Sequence, residues 1–203
     1  MVVPNRRSAG GGPTRTSSAV GCPPDGMTMV EPARASRSRS DESGLRVREA
    51  APRDLDAVMA LRLALLREHP EHPVYGRLRK DVNLRARELF AAQLRSPIEV
   101  IFLAEREGEA VGVLRCVESV GSALLEPARY AYVSSVYVRP DARRKGVLRE
   151  MLAAAERWAR ARGLAQMRLH NVAGSEVAEG AWSALGFGVV EQVRLRNLSA
   201  ESE

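Results

Sequence analysis

VYVRPDARRKGVL, residues 136–148, is the stretch from which the architecture of this chain can be worked out. It begins as a strand, Pro140 ends regular strand pairing, and a helix with an apolar stripe follows. A turn between a strand and a helix exposes backbone N–H groups at the helix N-terminus, where the macrodipole favours negative charge. Gly146 lets an oxyanion approach the main chain, and residues 143–145 add positive charge. The stretch therefore predicts a phosphate-binding turn, with a solvated basic helix start as the simpler alternative.

Strand and helix patterns follow one another on both sides of this stretch. The predicted strands are residues 45–48, 98–104, 110–118, 130–138, 165–170 and 189–195. The predicted helices are residues 52 to about 69, 81–95, 144–162 and 176–185. The order βααβββαβαβ predicts a mixed α/β (α+β) domain.

The chain of 203 residues is long enough for one domain with extra sequence attached. Residues 1–44 are rich in Gly, Pro, Ser and Arg and contain no aromatic residue, so we expect a disordered tail. The folded domain is predicted at residues 45–198, and residues 199–203 form a short C-terminal tail.

No apolar stretch approaches the roughly 18–20 residues of a membrane-spanning helix, and no secretory signal is apparent. We therefore expect a cytoplasmic protein without a membrane partner.

Cys22 and Cys116 lie far apart, and neither has a second ligand at metal-binding spacing. His69 and His72 lack a third ligand, so no metal site is predicted.

The chain has 31 basic and 25 acidic residues, a formal net charge of +6. Residues 129–168 alone contain 10 basic and 3 acidic residues, so the excess is concentrated around the predicted phosphate turn. Nucleic-acid binding is a weaker hypothesis, because only 4% of the residues are aromatic and no aromatic-interleaved basic strand occurs.

Two motifs resemble those of the GCN5-related N-acetyltransferase (GNAT) superfamily. The sequence RRKGVL at 143–148 is similar to the family signature Arg/Gln-x-x-Gly-x-Gly/Ala, and SEVAEGAWSALGF at 175–187 is similar to Asn-x-x-Ala-x-x-x-Tyr-x-x-x-Gly-Phe. The resemblance covers roughly residues 45–196. It implies a mostly antiparallel sheet with splayed parallel central strands and flanking helices.

The resemblance also implies where acetyl-CoA would bind, with no metal. The pantetheine arm would pair with the strand before the signature, the pyrophosphate would lie on the signature amides, and a strand N–H near Val136 would stabilise the oxyanion. The implied cofactor-binding residues are Val136, Tyr137, Val138, Arg143, Arg144, Lys145, Gly146, Val147, Leu148, Ser175 and Trp182.

Some residues depart from the family pattern. Leu148 replaces a small residue, and its spacing assigns it to the helix core; Ser175 stands where Asn is common. Trp182 stands where many members have the tyrosine that protonates the thiolate, which an indole N–H cannot do. Tyr132 stands where some members have a glutamate base, and a neutral phenol is a poor base. The catalytic candidates are therefore Tyr132, as part of a water relay, and Glu118 on the preceding strand.

These observations predict an acetyl-CoA-dependent N-acetyltransferase that acts on a primary amine by direct transfer in a ternary complex. The acceptor is a small molecule or a peptide, and Tyr75 and Arg77, after the first helix, are expected to shape its pocket. The alternative is a non-catalytic regulatory module that binds acetyl-CoA. A homodimer is an open alternative to a monomer, because dimers are common in the family.

Overall fold

A computed structural model describes residues 44–198, in which a five-stranded sheet is combined with four α-helices. The strands are β1 (Leu45–Glu49), β2 (Glu99–Arg106), β3 (Glu109–Val120), β4 (Arg129–Val138) and β5 (Met167–Leu169). The helices are α1 (Leu55–Arg67), α2 (Val82–Gln93), α3 (Val147–Ala161) and α4 (Glu176–Ala184). Short 3₁₀ turns at Pro52–Asp54 and Pro140–Ala142 precede α1 and α3.

The strands lie in the order β1-β2-β3-β4-β5, and every neighbouring pair is antiparallel except the last. The predicted mixed, mostly antiparallel sheet is therefore confirmed. The parallel pairing of β4 with β5 joins only Ala131–Val133 to Met167–Leu169. Since β4 continues to Val138, its second half extends past the end of β5.

Each face of the sheet packs against helices through its own apolar cluster. On one face Val147, Met151 and Ala155 of α3 pack against Ala131 and Val133 of β4. The other face packs against α1 and α2, whose buried residues include Val58, Leu61 and Phe90. Burial of each large aliphatic side chain contributes about 1.5–3 kcal/mol, so both layers hold the central strands in place.

A β-bulge in β4 sets which side chains face each layer. The register between β3 and β4 shifts opposite Ser135, whose φ is 51°, and Ser135 and Val136 have no partner residue on β3. After the bulge, Val136 packs on the α3 side and Tyr137 on the α1–α2 side. A strand without the bulge would reverse this pattern, because side chains alternate between the two faces.

Two element predictions were wrong in detail. Helix α3 begins at Val147 rather than at residue 144, because Arg144 and Gly146 adopt positive φ angles that a right-handed helix excludes. The predicted strand at 189–195 is absent: the segment has no regular secondary structure, and Val193 is 84% exposed. Its alternating pattern fits a strand, but a strand requires a neighbour to pair its backbone groups, and no strand between residues 44 and 198 pairs with it.

Residues 1–43 and 199–203 lie outside the described residues, and with them both predicted tails except Gly44. Within residues 44–198, no helix is long and apolar enough to cross a membrane.

Candidate functional site

The turn between β4 and α3 presents unpaired backbone amides at the start of a long helix. Gly146 precedes α3 with φ 80°, and the N–H of Glu150 donates to the Gly146 carbonyl oxygen at 3.1 Å. The amides of Val147, Leu148 and Arg149 come before this bond and have no intrahelical acceptor. Such a group of amides, at the positive end of a helix dipole, is suited to bind an anion.

The basic side chains of this turn have different roles. Nε of Arg143 donates to the Val138 carbonyl oxygen at 2.9 Å, and the guanidinium also forms an ion pair with Glu68 at the end of α1. Arg143 therefore braces the turn against β4 and α1. Arg144 and Lys145 are exposed and make no ion pair with any residue in the described range, so their charge is available at the amide cluster.

The second half of β4 leaves a free backbone edge beside this turn. Pairing with β5 ends at Val133, while Val136, Tyr137 and Val138 follow on the same strand. The main-chain groups that face away from β3 at these three residues are therefore not covered by β5. An extended molecule with amide groups could pair with this edge as a further strand would.

Tyr132 and His170 form a hydrogen-bonded pair where β4 and β5 diverge. The Tyr132 hydroxyl lies 2.9 Å from Nδ1 of His170, and the two rings meet edge to face at 5.5 Å. Burial, with lesser contributions from Tyr75 and Tyr130, raises the pKa of Tyr132 above its usual value, so the phenol keeps its proton at neutral pH. His170 is exposed to solvent. The sequence provided Tyr132, but the long-range contact with His170 required the structure.

Glu118 is held in an ion pair. Its carboxylate lies 2.5 Å from Nη1 of Arg129, and its backbone pairs with Ala131. Glu118 shares a face of β3 with Cys116, which packs in the cluster under α3. The carboxylate thus lies on the opposite side of the sheet from α1 and α2.

Helix α4 carries the remaining sequence-predicted residues. The Ser175 hydroxyl accepts a hydrogen bond from the Ala178 N–H at 3.4 Å and caps the helix. Trp182 packs edge to face against Phe187, with ring centroids 5.5 Å apart. Both side chains therefore have structural contacts within this helix and the turn after it.

A groove of about 360 Å³ lies between α1 and α2 on the other side of the sheet, and Ser135 of the β4 bulge forms part of it. Its walls are mostly apolar and include Leu65, Val82 and Leu89. Arg77, expected to shape an acceptor pocket, lines this groove, whereas Tyr75 stacks on His72 in the preceding loop at 4.6 Å. The bulge thus brings the groove next to Val136, on the edge of β4.

Arg62 is a site residue that sequence reasoning missed. It lines the groove but is only 8% exposed. Its Nη1 donates to Oε1 of Gln93 at 2.5 Å, and its guanidinium carbon lies 3.7 Å from the centroid of the Phe90 ring. Burial lowers its pKa to about 10, and the positive charge of Arg115 adds to this effect. The signal was present: Arg62 falls on the apolar stripe of α1, four residues after Val58 and three before Leu65.

Arg115, whose charge helps to lower the pKa of Arg62, is itself held by Glu99 and Ser134. Nε of Arg115 donates to the Glu99 carboxylate at 2.5 Å, and Nη1 donates to the Ser134 hydroxyl at 3.0 Å. Glu99 is largely buried with its partner, so its charge is balanced locally. Between residues 44 and 198, no group of three or more His, Cys, Asp or Glu side chains could hold a metal ion.

Comparison with known proteins identifies the family. The model of the acetyltransferase (GNAT) family matches residues 61–187. An aminoglycoside N(6')-acetyltransferase type 1 from Klebsiella aerogenes is 30% identical over 107 residues, which cover 53% of this chain and 70% of that protein.

Two solved structures share the fold. The structure of AAC(6')-Iy in complex with a bisubstrate analogue, CoA-S-monomethyl-acetylneamine, has a TM-score of 0.62 and 20% identity, and the match covers 77% of this chain and 99% of that one. A predicted acetyltransferase with acetyl-CoA from Clostridium acetobutylicum has a TM-score of 0.62 and 17% identity, with 75% and 96% covered. The chain belongs to the GNAT family of acetyltransferases.

Proposed function

We propose that this protein transfers an acetyl group from acetyl-CoA directly to a primary amine while both substrates are bound. One observation carries the proposal: the free edge of β4 runs from the bulge at Ser135 to the exposed amides at the start of α3. This arrangement suits a molecule with a polyphosphate at one end and an amide-containing arm. The groove between α1 and α2 reaches the same bulge and suits the acceptor.

The residues present fit acetyl-CoA, which supplies a thioester-activated acetyl group when bound. The amides of Val147, Leu148 and Arg149 would hold the pyrophosphate, with added charge from Arg144 and Lys145. The β4 edge at 136–138 would pair with the pantetheine arm. Ser175 and Trp182 are proposed to flank that arm from α4, where both side chains are partly buried.

The bulge also offers a candidate donor for the thioester carbonyl. Val136 has no register partner on β3, and its N–H is proposed to donate to the thioester oxygen. A fixed donor aimed at the oxygen stabilises the negative charge that develops there during attack. Holding the amine against the carbonyl carbon supplies a further large part of the rate.

Tyr132 and His170 are proposed to remove a proton from the amine. The neutral amine nitrogen bonds to the acetyl carbon, the carbon–sulfur bond breaks, and the nitrogen loses one proton to the relay as it becomes an amide. Tyr132 keeps its own proton at rest, so it acts as a relay to His170 through their 2.9 Å hydrogen bond. The CoA thiolate takes a proton from water, because the indole N–H of Trp182 is not acidic enough.

Glu118 remains the other candidate base. Its carboxylate is already occupied by the ion pair with Arg129. The Tyr132–His170 pair is preferred, because it lies where the strands diverge.

The direct test is calorimetric titration with acetyl-CoA, followed by thiol release across a panel of primary amines. We expect acetyl-CoA binding, amine-dependent CoA release and an N-acetylated product by mass spectrometry. Absence of binding at millimolar acetyl-CoA would refute the cofactor site. Binding without turnover of any amine would instead favour the regulatory module.

A further inference from the structure

The groove between α1 and α2 is positively charged as well as apolar. Four arginines line it: Arg62, Arg77, Arg79 and Arg85. Arg79 and Arg85 both form ion pairs with Asp81, at 3.2 and 2.6 Å. Arg62 and Arg77 form no ion pair with any residue from 44 to 198. The groove therefore has a surplus of positive charge.

Arg62 is the most unusual of the four because it is buried. Its partners are the neutral amide of Gln93 and the ring of Phe90, neither of which carries a compensating negative charge. The acidic side chain that acts on it is Glu99, which is already paired with Arg115. A buried cation without an anionic partner is costly, and its planar fork of donors is suited to a carboxylate.

The remaining lining of the groove is mostly apolar, which indicates a ligand with an apolar body. Leu65, Leu66, Leu78 and Val82 belong to its lining, and Ser135 connects it to the proposed position of the thioester. A ligand in this groove can therefore direct an amine toward Val136, place an apolar body between the helices and present an anion to Arg62.

We propose that the acceptor is a small primary amine with an apolar body and a carboxylate, and that Arg62 binds the carboxylate. This inference rests on the proposed acetyl transfer and specifies its substrate class. It sets this protein apart from the Klebsiella relative, whose name specifies an aminoglycoside. Aminoglycosides carry several ammonium groups, which the unpaired arginines would repel.

The test compares amines that differ only in the carboxylate. The pairs are leucine with leucinamide and ω-aminooctanoate with octylamine, with neamine as the polycation. We expect kcat/KM for the carboxylate member of at least one pair to be higher by about tenfold to a hundredfold, as befits one charge-assisted contact. The two pairs distinguish a carboxylate next to the amine from a distant one.

Variants of Arg62 assign the preference to this side chain. Arg62→Met should reduce the preference to near unity, chiefly through KM for the carboxylate member. Arg62→Lys should retain part of it, because lysine keeps the charge but loses the fork. The matched control is Arg87→Met, which removes an exposed arginine of α2 that pairs with Asp56 and does not line the groove. It should leave the preference unchanged.

The outcomes separate this inference from the proposed function. The inference would be overturned if kcat/KM were equal within both pairs of amines, or if neamine gave the best turnover. Either result would leave acetyl transfer intact. If no amine is acetylated, calorimetry with leucine and N-acetylleucine in the presence of CoA provides a second readout. Binding that is lost in Arg62→Met supports the anion site although transfer has failed; no binding of either ligand overturns it.

Discussion

Replacing Gly146 with alanine tests the phosphate-binding turn at its most sensitive position. Gly146 has φ 80°, and a Cβ built there meets no atom within 4 Å. The substitution therefore introduces no clash, but it forces a residue with a side chain into the left-handed region at a cost of about 1–2 kcal/mol. For a protein of this size, that cost lowers Tm by about 2–8 °C.

The effect on acetyl-CoA should be larger than a loss of stability can explain. A Cβ at Gly146 enters the space from which a phosphate would approach, and relief of the strain would rotate the amide of Val147. Loss of one charge-assisted hydrogen bond corresponds to about 1.5–3 kcal/mol, so we expect Kd to rise about tenfold to a hundredfold.

Gly163 is the matched control, because it follows the other end of the same helix. It has φ 70°, and a Cβ there also meets no atom within 4 Å. Gly163→Ala should lower Tm by a similar amount and leave the calorimetric Kd for acetyl-CoA unchanged. Equal affinities in the two variants would refute the assignment of the turn.

Two further predictions concern the proton relay and acid stability. Tyr132→Phe breaks the hydrogen bond to His170 and should lower kcat at least about tenfold. It should also displace the acidic limb of the pH profile of kcat, whereas Glu118→Gln should leave that profile unchanged. The reverse result would make Glu118 the base. Arg48 holds the pKa of Asp54 at about 2, below the ordinary 3.8. The contribution of this ion pair to the free energy of unfolding is therefore present above about pH 4 and is lost as the pH falls toward 2. Asp54→Asn should be less stable to urea by about 1 kcal/mol at pH 7, with solvent screening included, and the difference should vanish near pH 2; a constant difference would contradict this.

Local patterns were sufficient for most of the elements. The stripe of α3 and the alternation of β2, β3 and β4 arise from the periods of helix and strand, so they could be predicted without tertiary information. The segment 189–195 shows the limit of this reasoning. Its alternation is strand-like, yet a strand exists only where another backbone edge is available, and that is a long-range property.

The proposed phosphate turn could be predicted from the sequence, because its amides and glycine are contiguous in the chain. The groove proposed to hold the acceptor could not. It combines Arg62 of α1, Arg77 of the following loop, Val82 of α2 and Ser135 of β4. No local spacing relates these positions, and a sequence pattern cannot show that Arg62 has no carboxylate partner among residues 44–198.

The sequence by itself determined the order of the elements as far as α4 and the family to which the chain belongs, and it predicted an anion-binding turn at 143–148. All three depend on contacts between near neighbours. Only the tertiary structure decided that Tyr132 meets His170, that Glu118 is occupied by Arg129, and that a bulge at Ser135 joins the groove to the β4 edge. These features arise from strand pairing and helix packing, in which residues far apart in sequence are brought together by burial of the two apolar clusters.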